Sequence, residues 1–251
     1  MKSCLRCSKD FPIEYKYCPL CCEPFDKDKD AQFWARRAMM SRLRGEDLAT
    51  SIRTMQKACT IAPDNANMLH SMGTLLYRAG DFPKAVEVFC KAIALQPGYP
   101  EAHYDLALTY YRTGQITLAI KSLEKCIELD RDFLAAYYWL GIAYYHVGKE
   151  LEAIAAFKHM LSLNPAVVIA NYHLGVNCAS LGRYDEAITN FQRVLDVCPD
   201  DQAAAYHLGM AYYKANKIPE ATGVFRRSLE RDPQDQRARN MYEMLTEVPG
   251  V

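Results

Sequence analysis

The sequence lacks a net charge, because its 30 lysine and arginine residues balance its 30 aspartate and glutamate residues. A balanced chain has no overall field that would draw it to nucleic acid or to a membrane surface. The longest stretch without a charged side chain, residues 159–182, is interrupted by polar residues and a proline. It therefore falls short of the ~18–20 apolar residues of a membrane-spanning helix. The first residues also lack the apolar run of a secretory signal, and we expect a cytoplasmic protein without a transmembrane segment.

The sequence also lacks the local patterns of common catalytic sites. It contains no glycine-rich phosphate loop, no serine, histidine and aspartate in the order of a catalytic triad, and no paired carboxylates in a predicted cleft. Its ten cysteines, in a cytoplasmic chain, favour thiolate ligands and buried thiols over disulfides. We therefore expect a protein that is not an enzyme.

The sequence has instead a repeat of 34 residues, which dominates the chain from residue 66 to residue 235. The eighth position of each repeat is small, the twentieth is alanine and the twenty-fourth is large and apolar. Four of the five repeats then place a proline eight residues later, and the second has Arg131 there. These positions are occupied by Gly73, Ala107, Gly141, Gly175 and Gly209, by Ala85, Ala119, Ala153, Ala187 and Ala221, by Phe89, Leu123, Phe157, Phe191 and Phe225, and by Pro97, Pro165, Pro199 and Pro233.

This pattern has a mechanical interpretation. The small residues let the two helices of one hairpin approach closely, the large residue fills the gap toward the neighbouring repeat, and the proline ends the second helix. The pattern resembles the tetratricopeptide repeat (TPR), and five repeats match it in register. They span residues 66–99, 100–133, 134–167, 168–201 and 202–235. The resemblance implies an all-α fold, a right-handed TPR α-solenoid of helical hairpins.

The segments on either side of the five repeats are interpreted as caps. Residues 32–65 end in phase at Pro63 but carry Met39 at the glycine position and Ser51 at the alanine position. We interpret this segment as a degenerate capping TPR, because terminal repeats are commonly atypical. Residues 236–251 are predicted to form a C-terminal capping helix and tail.

The first 25 residues contain two pairs of cysteines that predict a zinc ribbon. Cys4 and Cys7 form one pair, Cys18 and Cys21 form the other, and each pair encloses two residues. Four thiolates with this spacing can surround one Zn²⁺ at about 2.3 Å, which leaves no open position for catalysis. Cys22 is an alternative to Cys21, although the matching spacing of the two pairs favours Cys21. We therefore expect a structural zinc site, in a segment that resembles the short zinc ribbons of prokaryotic proteins.

Residues 26–31 follow the predicted ribbon and are interpreted as a charged linker. Residues 26–30 alternate aspartate with lysine and include no apolar side chain. The predicted ribbon and the repeats should therefore fold independently.

The first helices of successive repeats should line the concave side of the array, where residues 34 apart form rows on one surface. The fifth and twelfth positions are rich in tyrosine, and the ninth is apolar in four of the five repeats. Tyrosine is common at these positions in the family, so these residues are either structural or part of a groove for an apolar or amphipathic peptide. The predicted partner-binding residues are Tyr77, Tyr104, Leu108, Tyr111, Tyr138, Ile142, Tyr145, Tyr172, Val176, Tyr206, Met210 and Tyr213.

Two histidines, His173 and His207, occupy the sixth position of adjacent repeats. A metal site there would need a third ligand, which the sequence does not indicate. We interpret them as partly buried, hydrogen-bonded side chains.

These features predict a non-enzymatic scaffold that binds a peptide or a partner protein. Leu174-Gly175-Val176 and the run at 181–188 resemble magnetosome-associated TPR scaffold proteins (MamA-like), which implies self-assembly and peripheral association with an organelle membrane through a partner. In such self-association, the amphipathic segment 33–43 of the cap would enter the groove of a second copy.

The alternative is a regulatory protein whose zinc ribbon and basic cap contact nucleic acid while the repeats bind an effector protein. The cap contains Arg36, Arg37, Arg42 and Arg44. The zero net charge disfavours this alternative.

The zinc prediction can be tested by metal analysis of the purified protein. We expect one Zn²⁺ per chain, which Cys4→Ser should remove, because the site needs all four thiolates. Chelation should leave the helical circular dichroism intact, since the charged linker separates the two parts. Loss of zinc in Cys22→Ser, with zinc retained in Cys21→Ser, would reassign the fourth ligand.

Overall fold

The computed structural model describes residues 1–3, 7–12, 30–41 and 47–246. The chain divides into two compact units, an N-terminal unit, Met1–Leu129, and a C-terminal unit, Asp130–Val251. In the N-terminal unit, strand β1 (Lys2–Ser3) pairs with the antiparallel strand β2 (Asp10–Phe11). The described helices of this unit are α1 (Ala31–Met40), α2 (Leu48–Ile61), α3 (Ala66–Ala79), α4 (Phe82–Leu95), α5 (Pro100–Arg112) and α6 (Ile116–Leu129).

The C-terminal unit is helical throughout its described part. Its helices are α7 (Leu134–His146), α8 (Glu150–Leu163), α9 (Val168–Ser180), α10 (Tyr184–Val197), α11 (Gln202–Lys214), α12 (Ile218–Arg231) and α13 (Gln236–Thr246). Within each unit every helix packs against the next one along the chain. The predicted fold class, a solenoid of consecutive helical hairpins, is confirmed.

The first helices of the five repeats begin where the 34-residue pattern places a repeat boundary. Helices α3, α5, α7, α9 and α11 start at Ala66, Pro100, Leu134, Val168 and Gln202. Helix α13 starts at Gln236 and packs Ala238 and Leu245 against the core of the fifth repeat. In the cap, α1 already begins at Ala31, the last residue assigned to the linker, because the Asp30 carboxylate accepts a hydrogen bond from the Phe33 amide.

Inside each hairpin, the turn between the two helices depends on a residue in the left-handed region. The pattern provides glycine at this fifteenth position in four repeats and asparagine in the fifth. Both residue types tolerate a positive φ, so the first helix can end there in a left-handed cap. The residues are Gly80, Gly114, Gly148 and Gly182, with φ of 79°, 76°, 71° and 73°, and Asn216, with φ of 59°.

The second helices end at the same repeat position whether or not a proline follows. Helix α6 ends at Leu129. Helices α4 and α8, which belong to repeats with the proline, end at the corresponding residues, Leu95 and Leu163. Proline is therefore not what sets the end of α6, where Arg131 replaces it. The Asp130 carboxylate accepts a hydrogen bond from the Asp132 amide at 3.0 Å, and Asn164 and Asp232 accept the same bond in repeats that have the proline.

The glycine at the eighth position lies against the phenylalanine ring of the same hairpin. A Cβ atom added to Gly141 would lie 2.6 Å from the Phe157 ring, which is far inside contact distance. Gly73, Gly175 and Gly209 are equally close to the rings of Phe89, Phe191 and Phe225, which are fully buried. The large residue was predicted to fill the gap toward the neighbouring repeat, but its ring also fills the space left by the glycine of its own hairpin.

The second repeat shows the same rule with different residues. It has Ala107 in place of the glycine and Leu123 in place of the phenylalanine, and both side chains are buried at 1% exposure. A Cβ atom on one helix is thus accompanied by a smaller side chain on the other. The two departures from the repeat pattern are therefore one steric adjustment.

In the C-terminal unit, histidines stack on the phenylalanine rings of the preceding repeat. The His173 ring stacks on Phe157 with centroids 5.1 Å apart, and the His207 ring stacks on Phe191 with centroids 5.6 Å apart. Burial lowers the pKa of both histidines below their ordinary value of 6.5, and Arg237 adds to the effect at His207. The neutral rings thus belong to the packing between repeats.

Three of the four predicted zinc ligands, Cys4, Cys18 and Cys21, lie outside the described residues, as does most of the predicted linker. Cys7 lies in a turn between β1 and β2. The zinc site therefore stays a prediction. None of the helices in the described ranges is both long and apolar enough to cross a membrane.

The contact between glycine and phenylalanine predicts a specific stability defect. Gly141→Ala should destabilise the protein by roughly 1–3 kcal/mol in denaturant melts, because the new methyl group overlaps the Phe157 ring. The double variant Gly141→Ala/Phe157→Leu, which copies Ala107 and Leu123, should be more stable than the sum of the single effects. Gly98→Ala is the control, since nothing lies within 4 Å of its added Cβ. Strictly additive effects would contradict the steric explanation.

The stacked histidines predict a loss of stability in acid. Their pKa values are lower in the folded chain than in the unfolded one, so the folded state binds fewer protons. Above the pKa that these histidines have in the unfolded chain, they should not lower the free energy of unfolding. As the pH drops below that pKa, the free energy of unfolding should fall. Urea melts at about pH 7.5 and about pH 5 should show this loss, and His173→Phe/His207→Phe should reduce it. The exposed His146 provides a control, because His146→Gln should leave the loss unchanged.

Candidate functional site

The predicted partner-binding residues all lie on the first helices of the repeats, α3, α5, α7, α9 and α11. Eleven of the twelve are half-buried, and Tyr145 is exposed, with 41% of its surface accessible. Four basic residues of the same helices, Arg78, Arg112, His146 and Lys214, are exposed. In each unit, the face that carries the predicted binding residues is thus neither core nor fully solvated surface.

In the C-terminal unit, the tyrosines at the fifth position are anchored to the core. The Tyr138 ring packs edge-on against Phe157 of its own hairpin at 6.3 Å and against His173 of the next repeat at 5.5 Å. Its hydroxyl lies 3.4 Å from His173 Nε2. Tyr138 therefore joins two repeats, and its first function is packing.

The same arrangement recurs one and two repeats later. Tyr172 packs against Phe191 and His207, and Tyr206 packs against Phe225 and lies under the Arg237 guanidinium. Burial raises the pKa of Tyr172, so its hydroxyl stays protonated and can donate a hydrogen bond. Each of these tyrosines contacts its own hairpin and the repeat or capping helix that follows it. A partner would meet a preorganised surface.

The apolar side chains at the ninth position lie one turn beyond these tyrosines on the same helix face. Ile142, Val176 and Met210 are each half-buried, and Met210 packs against the core of the fifth repeat. The exposed Tyr145 lies three residues beyond Ile142 on α7. The C-terminal unit therefore presents a row of aliphatic side chains beside tyrosines, and the partner-binding groove stays a prediction.

The N-terminal unit differs, because its fifth position begins with His70 in place of tyrosine. His70 Nε2 lies 2.8 Å from the Asp105 carboxylate, and His70 Nδ1 lies 3.0 Å from the Tyr99 hydroxyl. The Thr74 hydroxyl donates a second hydrogen bond to Asp105 at 3.2 Å. This cluster connects α3 to α5 by polar contacts, where the C-terminal unit uses stacked rings.

One donor direction in this cluster is fixed. A carboxylate only accepts, so His70 Nε2 donates its proton to Asp105, while the Tyr99 hydroxyl, which can donate or accept, pairs with Nδ1. Burial raises the pKa of Tyr99, and the carboxylates of Glu101 and Asp105 add to this effect. A raised pKa is the opposite of what an activated nucleophile needs.

The cluster lines a cleft of about 530 Å³ between the cap and the first two repeats. Its lining combines polar side chains, including the exposed Arg78, with apolar ones. The volume is within the range of small-ligand and peptide sites. The lining residues are Ala38, Met39, Ser41, Leu48, Ser51, Met55, His70, Ser71, Thr74, Leu75, Arg78 and Asp105.

Sequence reasoning did not identify Asp105 or Tyr99 as part of this surface. The available signal was the fifth position itself, where four repeats have tyrosine and only the first has histidine. A half-buried histidine such as His70 needs a hydrogen-bond partner. Asp105, 35 residues later at the sixth position of the next repeat, is that partner. The prediction for His173 is confirmed in part, since Tyr138 lies within hydrogen-bonding range. Stacking on Phe157 is its main contact.

Comparison with protein families identifies the repeats. A model described as TPR repeat matches residues 73–114 and 109–148. Two models described as tetratricopeptide repeat match residues 148–196 and 179–245. No curated protein matches the sequence.

Solved structures share the fold. The crystal structure of MamA is 28% identical, with a TM-score of 0.61 over 63% of this chain and 92% of that one. The crystal structure of YrrB, a TPR protein with an unusual peptide-binding site, is 20% identical, with a TM-score of 0.68 over 74% of this chain and 96% of that one. The C-terminal part of a TPR repeat-containing protein from Cytophaga hutchinsonii is 18% identical, with a TM-score of 0.74 over 86% of this chain and 89% of that one.

The 34-residue period, the hairpins that begin at each repeat boundary and the matching family models agree with one another. Residues 73–245 of this chain are therefore an array of tetratricopeptide repeats.

Proposed function

We propose that this chain is a non-enzymatic scaffold that binds a peptide or a partner protein on the first-helix face of its repeats. The observation that carries the proposal is the aliphatic row of Ile142, Val176 and Met210, which stays half-buried beside tyrosines that the core holds in place. Partly exposed apolar surface of this kind favours association. The peptide-binding site named for YrrB, which has the same fold, supports an interaction role.

The chemistry of the row defines the class of partner. Aliphatic side chains with rigid tyrosines beside them suit an apolar or amphipathic segment, whose backbone can accept hydrogen bonds from the tyrosine hydroxyls. Since the tyrosines are already ordered by their packing, less side-chain entropy is lost when the partner binds. The exposed Tyr145 provides the contact nearest to solvent.

A second copy of the chain is one candidate partner. The similarity to MamA at 28% identity supports the resemblance to MamA-like scaffolds, and with it self-assembly and peripheral association with an organelle membrane. In this form of the proposal the cap of one copy occupies the row of another, and the contact repeats without closing. Deleting residues 1–44 would remove the cap segment, but it would also uncover the core of the cap, because Ala38 of α1 packs against Met55, Ala58 and Met68. A loss of assembly could then result from a loss of folding. A point substitution in the row is a cleaner test.

The predicted zinc ribbon would serve as a structural module beside the repeats. The antiparallel pairing of β1 with β2 brings together the two ends of the segment that contains Cys4 and Cys7, as a metal-binding turn requires. This supports a Zn²⁺ site of Cys4, Cys7, Cys18 and Cys21 with no role in catalysis.

The alternative function, in which the ribbon and the basic cap contact nucleic acid, has one observation in its favour. Arg36 and Arg37 are exposed on α1, whereas Arg42 and Arg44 lie outside the described residues. Phosphate contacts would make the affinity fall steeply with salt concentration, whereas binding to the aliphatic row would not.

The proposal is tested by capture of partners from the native cell, with the full chain as bait. Ile142→Asp places a charge in the row and should lower partner capture at least tenfold, because an unpaired carboxylate would be desolvated on binding. Tyr138→Ala is less suitable, since its ring packs on Phe157 and His173 and its loss would destabilise the hairpin. If the partner is a second copy, light scattering should also show smaller assemblies for Ile142→Asp.

The matched control is Leu151→Asp, the same kind of change at a residue of α8 that is 58% exposed. It should bind partners as the wild type does, and both variants should keep the helical circular dichroism of the wild type. Equal capture by the wild type and by Ile142→Asp would rule out the row as the binding surface.

A further inference from the structure

The outward face of α1 carries large apolar and basic side chains side by side. Phe33, Arg36, Arg37 and Met40 follow the spacing i, i+3, i+4 and i+7, which places them along one face of the helix. The inward face consists of Ala31, Ala35 and Ala38 together with part of Trp34, and it packs against the core of the cap. The side chain of Met40 is 47% exposed. The buried side of α1 thus consists mainly of alanines, while Arg36, Arg37 and Met40 are exposed and Phe33 is half-buried.

Beside this face, cationic side chains of α1 and α2 surround Trp34. Lys57 Nζ lies 4.6 Å from the centroid of the indole ring, and the Arg37 guanidinium carbon lies 5.9 Å from it. Arg53 completes the set, with Thr50 and Thr54, in a shallow cleft of about 390 Å³. We call Trp34, Arg37, Arg53 and Lys57 the cap patch.

The cap patch is basic although the chain as a whole is neutral. Among the described cap residues, 30–41 and 47–62, the cations are Arg36, Arg37, Arg53 and Lys57. The carboxylates there are Asp30, which is buried, and Asp47, which caps the first turn of α2. Among the described residues that line the cleft, none is a carboxylate. The clustered cations repel one another, and an anionic surface would relieve that repulsion.

We propose that the cap patch and the outward face of α1 bind the surface of a membrane that contains acidic phospholipids. The four cations would lie near the phosphates, and Trp34, Phe33 and Met40 would reach the boundary between headgroups and acyl chains. Basic side chains next to a tryptophan and other apolar side chains are typical of segments that lie in the membrane interface. This surface is distinct from the row of Ile142, Val176 and Met210, and it requires no protein partner.

The geometry favours a lipid surface over single-stranded nucleic acid. Sequence-tolerant binding of nucleic acid depends on aromatic faces on which bases stack. Lys57 lies over the Trp34 ring, and the Phe33 ring meets it at 5.3 Å with an interplanar angle of 74°. Base stacking on Trp34 would have to displace Lys57, whereas insertion into a headgroup layer would not.

The test is flotation of the full chain with vesicles of phosphatidylcholine alone or of an equal mixture of phosphatidylcholine and phosphatidylglycerol. The wild type should float only with the acidic vesicles, and added salt should reduce binding. Arg53→Glu/Lys57→Glu should weaken binding by more than tenfold, since each cation near an anionic surface contributes roughly fivefold in affinity. Met40→Ser should weaken binding without changing the charge.

The matched control is Lys91→Glu/Lys121→Glu, which changes the net charge equally at exposed residues of α4 and α6. It should float like the wild type. A second readout uses Trp139→Phe, which leaves Trp34 as the single tryptophan, and its emission should shift to the blue on acidic vesicles.

The proposal is overturned if the control loses binding as much as the patch variant does, or if the Trp34 emission does not shift. It is also overturned if the wild type binds a single-stranded oligonucleotide but not acidic vesicles, and Arg53→Glu/Lys57→Glu abolishes the binding of the oligonucleotide.

Discussion

The hairpins of this protein depend on the contact of a phenylalanine ring with the backbone of the facing helix. Glycine at the eighth position lets the ring approach, and an added Cβ would lie 2.5–2.6 Å from it in four repeats. The alanine at the twentieth position, on the same helix as the ring or as Leu123 in the second repeat, is fully buried in every repeat. The outer edge of the ring is then available to the fifth position of its own repeat and, in the C-terminal unit, to the sixth position of the next one.

Much of the fold could be predicted from the sequence because the constraint is local and periodic. Gly141, Ala153 and Phe157 meet within one hairpin, so their spacing alone identifies the hairpin and its phase. The end of α6 was harder to predict, since Arg131 stands where the other repeats have the proline that was expected to end the helix. The helix nevertheless ends at Leu129, and Asp130 makes the same turn contact there as Asn164 and Asp232 make in repeats with proline.

The candidate site was predicted only in part, because its contacts join different repeats. The period places Tyr138 on the first-helix face, but it does not reveal that the ring packs on Phe157 and His173. The pair of His70 and Asp105 was missed for the same reason, since its members are 35 residues apart and occupy different positions of their repeats. The cap keeps the repeat pattern at Pro63 but not at its glycine and alanine positions, so the surroundings of Trp34 could be found only from the coordinates.

The contact of His70 with Asp105 limits how such an array can change during evolution. A ring seated on a glycine lies within one repeat, so a duplicated or deleted segment of 34 residues would keep it intact. The pair of His70 and Asp105 lies between two repeats and exists only where those two are neighbours. A repeat inserted between them would separate a half-buried histidine from its carboxylate. In the C-terminal unit the histidines stack on phenylalanine rings, which most repeats provide. The array can therefore gain a repeat more readily there than between the first and second of its five repeats.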